Sequence, residues 1–281
     1  MADPAGDGAL TRLEIPANLN ATLVLLRHGE SVAITEDRFQ GQLDTPLSGL
    51  GEAQARLAGD RLAHPDRPPR IALPARAPVD IVHSPLARTS ATAAAAEEAL
   101  RGAYGSSVPT RRPDAGLLEV GQGEWEGLHR SEVESRYSAE LEAWRLTPHE
   151  RAAPGAEPLT DVDRRVRATL PGILERLVGP GASASAPKTS AAGYPPPVSS
   201  PAWSLLVGHD GVFKVVLLAL LDLPIERFWS FGFGLTGISI VSFHDGLPVL
   251  RAHNLQDHLG PLQATVAPAD DSPERGASGA L

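Results

Sequence analysis

The chain has 281 residues, 42% of them hydrophobic and 21% charged, which is ordinary for a soluble globular protein and enough for one large α/β domain. A formal net charge of −9 argues against nucleic acid or an anionic membrane as the main partner, so any anion site must be a local concentration of positive charge. The absence of cysteine excludes disulfides, thiolate metal sites and cysteine nucleophiles together.

The opening residues carry no basic flank leading into an apolar stretch, so they do not read as a signal peptide, and a cytoplasmic location is expected. Residues 1–20 lack periodicity and are expected to form a flexible tail, as are residues 263–281, rich in Ala, Pro, Asp, Ser and Gly. Between them, residues 21–262 form the expected domain. Thr22 to Leu26 is a short apolar run that predicts a buried strand, and Ser48 to Ala63 shows helical spacing of Leu50, Ala53, Leu57, Ala58 and Leu62. A strand over Val79–Val82 and an alanine-rich helix over Thr89–Leu100 follow. Helices are predicted over Ser131–Trp144 and Thr160–Val178, the second interrupted near Pro171. Residues 179–201 are a low-complexity insertion, read as a surface loop. A third buried strand, Ser204–Val207, leads into an apolar helix, Val212–Leu221. The chain closes with a β-hairpin, Ile238–Phe243 and Val249–Ala252, about the turn His244-Asp245-Gly246. Strands alternating with helices predict a three-layer α/β/α sandwich, a single domain with a mainly parallel sheet.

The unusual polar residues stand at equivalent places in this pattern. Arg27 and His28 follow the first strand, His83-Ser84 follows the second with Arg88 opening the next helix, and His209 follows the third. In an open parallel sheet the carboxyl ends of the strands share one edge, where ligands bind. Two histidines and two arginines, distant in sequence, are therefore expected in one pocket. Helices starting there add N–H groups and positive dipole ends, which suit an anion.

Leu26-Arg27-His28-Gly29-Glu30-Ser31, with Arg38-Phe39-Gln40-Gly41 and Asp44-Thr45-Pro46-Leu47-Ser48-Gly49, resembles the opening signature of the histidine phosphatase superfamily, in its phosphoglycerate mutase-like branch. Ser84-Pro85-Leu86-Ala87-Arg88-Thr89, Leu118-Glu119-Val120-Gly121 through Trp125-Glu126-Gly127, Gly208-His209-Asp210-Gly211 and Asn254 through His258 resemble its later blocks, in order. The resemblance implies a phosphomonoester hydrolase acting on a small phosphorylated metabolite through a phosphohistidine intermediate, with no cofactor and no metal. It makes His28 the nucleophile and Glu119 the general acid and base. Arg27, Arg88 and His209 become the phosphate ligands, and Ser31, Gln40 and Gly41 candidate substrate contacts.

Many relatives place an asparagine donor six residues after the nucleophile, where this chain has Ile34. Either the Val32–Asp37 loop is displaced, or Ser31 or Gln40 supplies the missing donor. Trp125-Glu126-Gly127 runs directly toward the next helix without the extra capping stretch of true mutases, which favours hydrolysis. Phosphoglycerate mutase-type transfer and a non-catalytic, phosphate-ligand-binding relative are the alternatives. Trp144, Phe228 and Trp229 are read as structural packing or an apolar substrate wall. The apolar strand Ile238–Phe243 is where a homodimer contact would be sought.

Overall fold

The computed structural model describes residues 12–178 and 201–263. The predicted insertion at 179–201 and the outer parts of both predicted tails lie, apart from Pro201, outside the described residues. A six-stranded sheet runs through the middle. In chain order its strands are β1 (Ala21–Arg27), β2 (Asp80–His83), β3 (Arg112–Pro113), β4 (Ala202–Gly208), β5 (Ile238–His244) and β6 (Leu247–Leu255), arranged β3-β2-β4-β1-β5-β6. The first four are mutually parallel, while β5 and β6 run antiparallel at one side.

The helices are α1 (Val32–Thr35), α2 (Gly49–Ala63), α3 (Ala87–Tyr104), α4 (Arg130–Arg136), α5 (Ser138–Leu146), α6 (Leu159–Leu177), α7 (Asp210–Leu220) and α8 (Gly260–Gln263). β1 is buried along its whole length, and its Leu23–Leu26 run is apolar because both of its faces are covered. Val24 and Leu26 pack with Ala58 and Leu62 of α2 and Ala93, Ala96 and Leu100 of α3, while Leu23 and Leu25 pack with α6 and α7 on the other side. The expected three-layer sandwich is therefore present. No helix among the described residues is long and apolar enough to cross a membrane.

Several expectations change. Residues 12–20 are not a free tail: Leu13 and Leu19 are buried in the core, and the Leu19 carbonyl accepts from Gly246 N–H at the hairpin turn. The Ser131–Trp144 helix is two helices, broken at Tyr137, whose backbone (φ −132°, ψ 33°) leaves the helical region. α6 instead runs unbroken through Pro171; its buried row of Leu170, Ile173, Leu174 and Leu177 outweighs the one hydrogen bond that a proline forgoes. β5 lies between β1 and β6 with every residue buried within one chain, so Ile238–Phe243 offers no free apolar face for a homodimer. Trp144, Phe228 and Trp229 stack edge to face on one another, with Trp144 and Phe228 buried, which is structural packing.

Candidate active site

Arg27, Ser84 and His209 stand at the ends of β1, β2 and β4, three adjacent strands of the sheet. His28 follows Arg27 directly, and its backbone is fixed on both sides. Its N–H donates to the Gly208 carbonyl (3.0 Å), and its carbonyl accepts from Thr236 N–H (3.2 Å). The ring Nδ1 lies 2.6 Å from the Gly29 carbonyl, which accepts only, so Nδ1 carries the hydrogen and Nε2 keeps a lone pair. The His209 ring sits 5.1 Å away at 63°. Arg88 Nε–H donates to His209 Nδ1 (3.3 Å), which leaves His209 Nε2–H to donate to Ser84 Oγ (2.9 Å). Burial first, and then the positive charge of Arg88, hold both imidazoles well below the usual histidine range, so both are neutral at physiological pH.

The two arginines are buried and oriented by carbonyls. Arg88, in the first turn of α3, donates from Nη1 to the Leu43 carbonyl and from Nη2 to the Gly41 carbonyl, both at 2.8 Å. Arg27 Nη1 donates to the Phe233 carbonyl, and its buried Nε has no partner among the described residues. Neither guanidinium forms an ion pair with a carboxylate among the described residues, so neutral dipoles fix both without cancelling their charge. Burial pushes Arg88 down to about 10, which still leaves it charged at neutral pH. Two desolvated cations without a directly paired carboxylate, Arg88 eased only by the more distant Glu119, Asp44 and Glu126, become favourable once a dianion sits between them.

Glu119 reaches the start of α7. Its Oε1 accepts from Val120 N–H and Val212 N–H (both 2.9 Å) and its Oε2 from Gly211 N–H (3.1 Å). Those donors favour the carboxylate, but burial, assisted by the neighbouring Asp210 charge, outweighs them and raises its pKa. Oε2, with one donor against two on Oε1, retains the better position for a proton.

The Val32–Asp37 stretch departs from the expected loop by forming α1, with Ser31 as its N-cap; Ile34 N–H donates to Ser31 Oγ (3.4 Å). Ser31 Oγ–H is committed to Gln40 Oε1 (2.6 Å), which also accepts from Thr45 (3.0 Å). Of the two residues expected to replace the missing asparagine, only Gln40 thus has a side-chain donor to offer, its amide NH2. Gly41 takes φ +47° and contributes its carbonyl to Arg88, where a side chain would collide with Glu126. Ser84 and Asp210 escaped the sequence reading as functional candidates although both lie beside assigned residues at strand ends. The Gly41, Leu43 and Phe233 carbonyls have no side-chain signature at all. A groove of about 930 Å³ lined by Leu13, Ile15, Leu220 and Leu247 contains none of these site residues.

Comparison with known proteins bears on the family. Residues 23–180 and 199–256 match the model of the histidine phosphatase superfamily (branch 1). Phosphoserine phosphatase 1 of Hydrogenobacter thermophilus is 27% identical over 242 residues, 85% of this chain and 94% of that protein. Glucosyl-3-phosphoglycerate phosphatase of Mycolicibacterium vanbaalenii is 34% identical over 209 residues, 73% of this chain and 76% of that protein. A solved structure of a mycobacterial glucosyl-3-phosphoglycerate phosphatase in complex with VO3 superposes with a TM-score of 0.65 at 27% identity, covering 84% of this chain and 100% of the other. With its strand order, its paired histidines and the extent of these matches, the chain belongs to the histidine phosphatase superfamily.

Proposed function

We propose that the protein hydrolyses phosphomonoesters of small metabolites through a phosphohistidine formed on His28. The observation that carries this reading is the pair of buried arginines held by carbonyls beside an imidazole whose Nδ1 is already committed to Gly29. The Nε2 lone pair attacks phosphorus as the P–O bond to the alcohol breaks. Glu119 donates its proton to the departing alkoxide. As a carboxylate it then takes a proton from water, whose oxygen displaces His28 and releases inorganic phosphate.

Arg27 and Arg88 balance charge on the phosphoryl oxygens, and His209 Nε2–H passes from Ser84 to one of them. Gln40 supplies the amide donor that Ile34 lacks. Support for small phosphorylated substrates comes from relatives named as phosphatases of phosphoserine and of glucosyl-3-phosphoglycerate. The direct passage from Trp125 to α4 favours hydrolysis over transfer between sugar-acid hydroxyls.

The full chain incubated with p-nitrophenyl phosphate is expected to release p-nitrophenol, and His28→Ala to lose at least about 10³-fold in kcat. Equal release by the two proteins would replace hydrolysis with simple phosphate-ligand binding. Ranking phosphomonoesters by kcat/KM then identifies the leaving group.

A further inference from the structure

Behind the phosphate site lies a buried ion pair. Asp210, the first residue of α7, meets Lys214 one turn later, with Oδ2 2.7 Å from Nζ and both side chains buried. The ammonium lies 5.1 Å from the Phe228 ring centre and 4.6 Å from that of Trp229, so its remaining faces meet aromatic walls. Only two of the chain's 25 basic residues are lysines. A compact ammonium fits between one carboxylate and two rings where the planar fork of arginine would not. Replacing a buried pair with apolar residues is often neutral or stabilising, so stability alone gives little reason for this one.

Its geometry leads into the site in two directions. Asp210 Oδ1 accepts from Phe233 N–H (2.9 Å), Asn254 Oδ1 accepts from the next N–H, Gly234 (2.7 Å), and the carbonyl between them receives Arg27 Nη1. Asp210 therefore fixes one end of the peptide segment that aims Arg27. In the other direction, the N–H groups of Gly211 and Val212, the two residues after Asp210, hold the Glu119 carboxyl. We propose that the Asp210–Lys214 pair is a positioning element of the active site, orienting Arg27 through Phe233 and placing a compensated negative charge beside Glu119.

The groups facing Glu119 are Asp210 and Lys214 from α7, and Arg88 from α3; Arg165 of α6 binds its backbone carbonyl. Asp210 disfavours the ionised acid, and Lys214 limits that effect. The proposal rests on Glu119 as the general acid. Its test is the alkaline limb of kcat/KM for an alkyl phosphomonoester such as O-phosphoserine, whose alkoxide must be protonated as it leaves, so that loss of the Glu119 proton ends activity. The limb is read as phosphate release by the full chain, with folding followed by thermal melts.

Asp210→Asn removes the negative charge and leaves Lys214 uncompensated, so the limb moves to lower pH by about one unit; Lys214→Met moves it to higher pH. The double variant returns toward wild type. Asp210→Ala, which also loses the acceptor for Phe233, weakens inhibition by inorganic phosphate about tenfold. Limbs that superimpose, or that move in one direction in both single variants, overturn the proposal. If the Asp210 variants do not fold, Lys214→Met decides alone: an upward shift supports the role and an unmoved limb removes it. A fully active Glu119→Gln variant removes the acid and the proposal together, whereas an inactive one with unshifted limbs removes only the proposal.

Discussion

At the scale of single residues, His28 gives one ring nitrogen to the Gly29 carbonyl so that the other retains its lone pair, and burial, reinforced by Arg88 and Arg27, keeps the ring unprotonated. Arg88 serves as a planar fork held at three points, by the Leu43 and Gly41 carbonyls and His209 Nδ1. Arg88→Lys, which cannot reach the Gly41 and Leu43 carbonyls together, is expected to lower kcat/KM by about 10²-fold with the melting temperature little changed. A rate within a factor of about two of wild type would show that a point charge suffices. The titrations set the pH–rate profile. Activity falls as decreasing pH protonates His28, whose pKa lies well below 6.5, and falls again as increasing pH ionises Glu119, whose pKa lies above 4.5. Steady-state kcat/KM against pH checks both limbs. His28 and His209 were legible in the sequence because polar groups directly after apolar strands are unusual, whereas Glu119 followed only from the family resemblance. The carbonyls that aim the arginines were not, because a peptide group looks the same at every position.

At the scale of elements, α2 and the nucleophile loop approach so closely that only glycine fits between them. A Cβ on Gly51 would overlap the Glu30 carbonyl, and one on Gly29 would overlap that of Gly51. Gly51→Ala is therefore expected to destabilise the fold by about 1–3 kcal/mol and to lower kcat as the loop carrying His28 shifts. Denaturant unfolding and kinetics on the same variant check it; wild-type values in both would show that the contact has slack. Long periodic elements, such as α2, α3 and α7, were readable because one apolar face repeats. β3 was not, since two residues carry no period, and Leu13 and Leu19 were hidden in a stretch whose neighbours give no pattern. α1 depends on a four-residue turn capped by Ser31, too short to signal itself.

At the scale of the whole molecule, burial of neutral histidines links folding to pH. His28, His83, His209, His244, His253 and His258 all have pKa values depressed below 6.5 by burial, His258 to about 4. The unfolded chain takes up these protons as pH falls through about 6.5 and the native chain resists until lower pH, so stability present above that point is lost on acidification. His258 alone contributes about 1.4 kcal/mol per pH unit between 6.5 and about 4. Glu119, with a raised pKa, acts in the opposite sense above 4.5, but as one group against six. Melting temperature is expected to fall by several degrees between pH 7.5 and 5.5, and a flat profile would mean that these histidines titrate normally. The parallel sheet and the strand ends shared along one of its edges could be anticipated from the chain. The coupling of α7 to Arg27 through Phe233 could not, since it depends on how distant segments dock.

The central claim is that the phosphoryl group passes through His28. Rapid quenching of the full chain during turnover of a phosphomonoester, followed by peptide mass analysis under alkaline conditions that preserve phosphohistidine, measures this directly. One phosphoryl group on the peptide containing His28, absent from His28→Ala, is the expected result. Turnover with no modified His28 peptide at any quench time, or with the phosphoryl group on another residue, would contradict the account.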